Sequence, residues 1–414
     1  MRGDKGGPMV DRLNDARLLI YSHDTFGLGH LRRCRTIAHA LVEQFKGLSV
    51  LILSGSPILG SFDFRTRVDY VKIPSVIKLH NGQYTPLGLH LDLKKTLEIR
   101  ASIIRHTAEV FEPDLLIVDK EPLGLKGEVA ETLTMLKKRG TSLVLGLRDV
   151  MDEPTLLRRE WEGRNVIPVL RDLYDEIWVY GLSDIWDPLA DLEVPAAVRR
   201  KMVYTGFLPR TVSRNPQVTP TVRMDEPYLL VTAGGGGDGD VLMDWVLRAY
   251  EYDPDLPYAA LLVLGPFMRP ETQRHFQERV NRQSRVKTIT FDSHMEILLA
   301  ESAGVVAMGG YNTFCEILSF DKRAVIVPRS KPRREQLIRA TRADDLNLAK
   351  MLNADGARDA RIMAEALRAL PAQSLPSEVS MPGLLGGLDI VSRRFENRMS
   401  DRPVEETTLL REQV

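Results

Sequence analysis

The sequence predicts an α/β protein of two doubly wound, Rossmann-like domains facing each other across a cleft. Three observations carry this reading. Short apolar runs bounded by Gly, Pro or Asp alternate with amphipathic segments, the pattern of buried parallel strands joined by helices. The alternation occurs twice, interrupted by the polar, proline-bearing stretch 210–227. Glycine-rich turns of the kind that hold ligands follow strands in both halves, ahead of His30 in the first and at Gly234–Gly237 and Gly309–Gly310 in the second.

Composition agrees with that division. At 414 residues the chain is too long for one compact core. The expected parts are a flexible leader (1–15), an N-terminal domain (16–209), a linker (210–227), a C-terminal domain (228–380), a helix crossing back to the first domain (381–399) and a tail (400–414). Lys+Arg and Asp+Glu both number 56, so charge gives no global argument for nucleic acid, and no nucleic-acid partner is expected. The two cysteines, Cys34 and Cys315, are too few for a disulfide scaffold or a four-thiolate zinc site and are expected in the core. The N-terminal residues lack the apolar run of a signal peptide, and no stretch approaches the ~20 apolar residues that span a bilayer. These features predict a cytoplasmic protein, compatible with peripheral contact at the inner face of a membrane.

In the first half, a strand at Arg17–Ser22 runs into His23-Asp24-Thr25-Phe26-Gly27-Leu28-Gly29-His30. A helix follows, with Leu31, Cys34, Ala38, Leu41, Val42 and Phe45 at helical spacing. The pair Gly27 and Gly29 is not a dinucleotide fingerprint. The third glycine would fall at Arg32, and the next strand (Ser49–Ser54) ends without an acidic residue. What remains is a turn presenting His30 at the mouth of the sheet, where α/β sheets place their ligands. The mixed segment 74–92 has no periodicity and reads as a loop that meets the acceptor. A strand at Asp114–Asp119 brings Asp119 to the same rim, and one at Ser142–Leu147 delivers Arg148 and Asp149. Each of these side chains either touches substrate or caps and pairs locally. Residues 151–175 read as helical, with Trp161 as a contact residue. Strands at Glu176–Tyr180 and Met202–Tyr204 close this half.

The second half opens with a strand at Tyr228–Thr232 and the glycine run. No Gly-Lys-Ser/Thr follows, so this is not a P-loop. Asp238 and Asp240 read as helix N-caps rather than metal ligands, since Asp is favoured there. Strands follow at Ala260–Leu264 and Val286–Thr290, and His294 sits on a strand-end loop. The most informative stretch is Val305–Ala340. A buried strand ends in Gly309–Gly310, a turn with Asn312 and Thr313 leads into a helix carrying Glu316, and a second strand ends at Pro328 before a basic loop that closes on Glu335–Gln336. Glycines at a strand-to-helix turn let backbone N–H groups approach an anion, and the helix N-terminus adds partial positive charge. Glu316 is placed to accept hydrogen bonds from two neighbouring hydroxyls, as on a ribose. Ser319–Arg342 carries eight basic residues against Asp321 and Glu335, which suits an anionic ligand.

The spacing of Gly310, Thr313, Glu316, Pro328 and the pair Glu335–Gln336 resembles the donor-site motif of glycosyltransferase family 28. The glycine turn ahead of His30 is similar to that family's Gly-x-Gly-Gly-His turn with one glycine missing, and Gly234–Gly237 resembles its second glycine loop. Two departures are visible: the family's Gln-Gln pair is Glu335-Gln336 here, and its later asparagine is Arg339. The run GLGHLRRC also resembles the UDP-sugar hydrolase of pseudaminic acid synthesis.

The resemblance implies the GT-B fold, with an acceptor-side first domain and a donor-binding second domain. It implies inverting, metal-independent transfer of a hexose or N-acetylhexosamine from a UDP-sugar to an acceptor hydroxyl, in bacterial polysaccharide or glycolipid synthesis. The UDP-sugar is a co-substrate, no cofactor is expected, and the acceptor is a sugar, a lipid-linked sugar or a small molecule. His30 would be the base, with Asp119 in reserve. Gly29, Gly235, Gly236, His294, Gly309, Gly310, Asn312, Thr313, Glu316, Arg329, Lys331, Glu335 and Gln336 would bind the donor; Arg148 and Asp149 would lie on the acceptor side. The alternatives are a UDP-sugar hydrolase or 2-epimerase on the same fold, and a non-catalytic nucleotide-sugar binding protein.

Overall fold

A computed structural model describes residues 15–23, 29–79, 83–212, 220–235, 237–292 and 294–400. Residues 1–14 of the leader, 213–219 of the linker, Gly236 and 401–414 of the tail lie outside the described residues.

The first lobe is built on a seven-stranded parallel sheet. Its strands are β1 (Arg17–Ser22), β2 (Ser49–Ser54) and β3 (Val68–Lys72), then, after the small antiparallel pair β4 (Val76–Lys78) and β5 (Tyr84–Pro86), β6 (Leu115–Asp119), β7 (Ser142–Arg148), β8 (Glu176–Tyr180) and β9 (Met202–Tyr204). The spatial order is β3-β2-β1-β6-β7-β8-β9. The second lobe holds β10 (Tyr228–Thr232), β11 (Ala259–Val263), β12 (Val286–Ile289), β13 (Gly304–Ala307), β14 (Ala324–Ile326) and β15 (Lys350–Met351), in the order β12-β11-β10-β13-β14-β15. Strand order reverses beside β1 and again beside β10. These are the switch points at which open α/β sheets leave a crevice at the carboxyl ends of their strands.

The central strands, covered by helices on both faces, bury nearly every side chain, which explains their near-continuous apolar runs. Leu18 and Ile20 of β1 enter one core, while Leu19 and Tyr21 enter the core on the opposite face. The first of these cores continues into the second lobe. Phe207, which leaves the first lobe, packs 5.2 Å from the Phe314 ring and 6.1 Å from Tyr311. Cys34 and Cys315 are both buried in it.

The helix Gly387–Ser400 returns to the first lobe. Its Phe395 ring lies 5.3 Å from Phe45 of the helix Gly29–Gln44, and Arg394 and Arg398 both bond Glu176. Burying one such phenyl ring contributes about 1.5–3 kcal/mol.

Several local expectations are corrected. Segment 74–92 contains β4 and β5 rather than loop alone, and β3 was not foreseen. Trp161 is 3% exposed inside the first-lobe core and is not a ligand contact. The helix Asp240–Tyr252 has Gly239 at its N-cap with no side-chain cap, and Asp238 instead pairs with Arg329. Among the described residues no helix is long and apolar enough to cross a membrane.

Candidate functional site

The carboxyl ends of β1, β6 and β7 face the second lobe, and the side chains expected to do chemistry gather there. The helix Gly29–Gln44 starts beyond β1, so His30 sits in its first turn. β6 lies parallel to β1 and ends at Asp119. His30 Nδ1 lies 2.5 Å from Asp119 Oδ2. Arg33, three residues after His30 and so on the same helical face, donates from Nε at 2.8 Å and Nη2 at 2.6 Å to Asp119 Oδ1.

Burial by itself would raise the Asp119 carboxyl, but Arg33 and His30 outweigh it and hold it below the ordinary carboxylate range. An ionised Asp119 can only accept, so His30 donates from Nδ1 and Nε2 is left as the basic nitrogen. Asp119 is therefore not a reserve base; it orients His30. Burial also pulls His30 below its ordinary value, with Arg33 and Lys120 adding to the effect against Asp119. The His30 side chain is 14% exposed, so the ring is reachable. His23, the residue after β1, stands edge-on to His30 at 5.6 Å, and its Nδ1 is buried without a partner among the described residues.

On the second lobe, Gly309 has a φ of 77° at the end of β13, which a side chain would strain, and an added Cβ would meet Ile326. Gly310 caps the helix Tyr311–Ser319 without any side-chain cap, leaving its first N–H groups to other partners. Thr313 lies half-buried in the first turn. Asn312 points across the lobes: its Nδ2 donates to the Gly29 carbonyl at 3.0 Å, and its Oδ1 accepts from Arg210 at 2.8 Å. Glu316 is 4% exposed and points towards the first lobe, where Arg32 holds it in an ion pair. Arg32 occupies the place where a dinucleotide fingerprint would have its third glycine.

The arginines of the basic loop are already paired, some within the second lobe and some across to the first. Arg329 bonds Asp238 and, at 2.8 Å, Glu335 Oε1, while its N–H donates to Gln336 Oε1 at 3.2 Å. Glu335 Oε2 is buried without a partner among the described residues. Burial would raise the Glu335 carboxyl, but Arg148 and Arg329 bring it down to about 2. Lys331 is exposed, Gly235 accepts from Phe267 N–H at 3.0 Å, and His294 stands 3.8 Å from Glu296. Arg333 crosses to Asp152 at 2.8 Å and Glu160 at 2.7 Å.

Asp149 is corrected. Both of its oxygens accept from Arg339 at 2.6 Å, and neither side chain is exposed, so it ties the lobes together rather than facing an acceptor. Arg339, where the resemblance places an asparagine, also donates to the Gly309 carbonyl at 2.9 Å. Sequence reasoning missed the roles of Arg32, Arg33 and Arg339. Only Arg33 had a readable signal, its three-residue spacing from His30.

Residues 231–379 match the glycosyltransferase family 28 C-terminal domain. The architecture around them is GT-B. Over nearly its whole length the chain superposes on solved glycosyltransferases. CalG4, the calicheamicin glycosyltransferase, is 16% identical with a TM-score of 0.61, covering 94% of this chain and 100% of that one. UGT71G1 of Medicago truncatula, solved with UDP-glucose, is 13% identical with a TM-score of 0.62 over 94% and 100%. MurG of Acinetobacter baumannii is 12% identical with a TM-score of 0.56 over the same shares. At these identities the likeness is one of fold. A search of curated proteins finds no match. Within the GT-B frame, His30 and Asp119 belong to the first lobe and Gly310 and Glu316 to the matched second one.

Proposed function

We propose that the protein is a metal-independent, inverting glycosyltransferase that moves a hexose or N-acetylhexosamine from a UDP-sugar to an acceptor hydroxyl. The family match and the GT-B frame support glycosyl transfer. The observation that carries the reading is the His30–Asp119 pair standing opposite the uncapped start of the Glu316 helix.

In this reading His30 Nε2 takes the proton of the acceptor hydroxyl as its oxygen attacks the anomeric carbon, and the bond from that carbon to UDP breaks. Charge developing on the departing diphosphate meets the N–H groups that follow Gly310 and those near Gly235. Glu316 receives the ribose hydroxyls once Arg32 has released it. Glu335 Oε2, already desolvated and without a partner among the described residues, accepts from a sugar hydroxyl, with Gln336 beside it. Two solved GT-B neighbours contain UDP-glucose or UDP, which makes a uridine donor the first to test.

The test is UDP release from a panel of UDP-sugars with and without candidate acceptors. Acceptor-dependent release with a new glycoside bears out the proposal. Full-rate release without an acceptor replaces it with hydrolysis, and tight UDP binding without any turnover replaces it with a binding protein.

A further inference from the structure

Two cations beside the His30–Asp119 pair are thinly partnered among the described residues. Lys120 follows Asp119 at the end of β6, and Arg148 ends the neighbouring β7, where Asp119 is in register with Gly146. The two side chains therefore leave adjacent strand ends on the rim that holds His30. Arg148 makes no ion pair or hydrogen bond through its guanidinium among the described residues, and its Nε is fully buried and unpartnered. The Lys120 side chain is 13% exposed, and among the described residues its ammonium pairs only with Glu121, 3.6 Å away, whose other oxygen is taken by Arg164 at 2.7 Å. Glu335 of the second lobe attracts both cations, but its Oε1 goes to Arg329 at 2.8 Å and it makes no ion pair or hydrogen bond to either of them among the described residues.

The electrostatics agree. Burial, with repulsion from Arg148 and Arg333 against the pull of Glu121, brings Lys120 down to about 8. Burial brings Arg148 down to about 10 despite Glu335. The Lys120 backbone has a left-handed φ of 67°, held by its N–H bond to the Gly146 carbonyl at 2.8 Å. Strained non-glycine residues of this kind gather at functional sites. Burying two like charges with so little direct pairing is costly unless a ligand completes the cluster.

We propose that Lys120 and Arg148 form an oxyanion-binding subsite on the acceptor side, and that the acceptor presents a phosphate or carboxylate group to it. This rests on the transferase reading, because it assigns the anion to the substrate deprotonated by His30. The donor diphosphate has its own amides on the second lobe, so the two anions bind together. An acceptor seated through a fixed anion places its hydroxyl at a set reach from His30 Nε2.

The experiment measures binding of inorganic phosphate to the full chain, by calorimetry, with and without saturating UDP. Wild type should bind phosphate in both conditions. Lys120→Met and Arg148→Met should each weaken phosphate by about tenfold or more while keeping UDP affinity, as loss of a charged hydrogen bond dictates. Unchanged phosphate affinity in both variants overturns the subsite. Phosphate binding abolished by UDP overturns the acceptor assignment, since the anion would then be the donor's own. A second readout needs no variant: phosphate, but not UDP, should slow carbamylation of Lys120 by cyanate at pH 8, followed by mass spectrometry. Absence of protection overturns the proposal. Failure to bind UDP at all would instead count against the transferase reading.

Discussion

Asp149 in the first lobe and Arg339 in the second form a two-pronged ion pair, with both bonds 2.6 Å long and neither side chain reached by solvent. The pair fixes where one lobe sits against the other. Its net contribution to stability is modest, because desolvation offsets attraction, but losing one partner strands a buried charge. Asp149→Asn should therefore lower unfolding free energy by about 3–5 kcal/mol in denaturant titrations. Asp149→Leu combined with Arg339→Met should recover most of that loss. A single variant as stable as wild type would mean the pair is hydrated.

The ion pair between Arg32 and Glu316 sets two substitutions against each other. If Glu316 serves the ribose, Glu316→Ala should cost about 1.5–3 kcal/mol of UDP binding. Arg32→Ala removes a competitor and should leave UDP binding equal or tighter. Calorimetry that shows both variants weakened alike would make the pair a strut rather than a ligand site.

His30→Ala should lower turnover by roughly 10²–10⁴-fold with UDP affinity retained. Asp119→Asn should also lower turnover, because an amide accepts the Nδ1 proton poorly and leaves Arg33 uncompensated. Normal turnover in His30→Ala would remove the base from the proposed mechanism.

The pH profile follows from the same environment. Burial depresses His30, so the neutral, basic form persists at pH values where a free imidazole, near 6.5, has begun to protonate. The acid limb of kcat/KM should then lie below about 6.5. Between the folded and unfolded His30 values the unfolded chain binds more protons, so stability from this group falls as pH drops through that window. An acid limb above pH 7 would contradict the environment described.

Much of the fold was legible because buried parallel strands advertise themselves. The strands at Arg17–Ser22, Glu176–Tyr180 and Tyr228–Thr232 are fixed by uninterrupted apolar runs. β3 and the β4–β5 pair were not legible, since edge and hairpin strands mix polar and apolar residues without a clean alternation. In the site, position after a strand end singled out His30, Asp119 and Gly309–Gly310. What sequence could not show was pairing across distance. Arg339 with Asp149, and Arg32 with Glu316, are separated by well over a hundred residues, and an arginine meant for a ligand looks the same as one meant for a carboxylate.

The backbone passes between the lobes twice, and the two passages are stitched to each other: Phe207 N–H donates to the Leu384 carbonyl at 2.8 Å, and Gly387 N–H to the Phe207 carbonyl at 3.1 Å. Gly206, with a φ of 84°, sits so close to the Gly383 carbonyl that no side chain would fit. Such a double strap acts as a pivot. Opening would swing the halves about that seam instead of sliding them apart, and a single protease cut in either strap would leave the two halves joined.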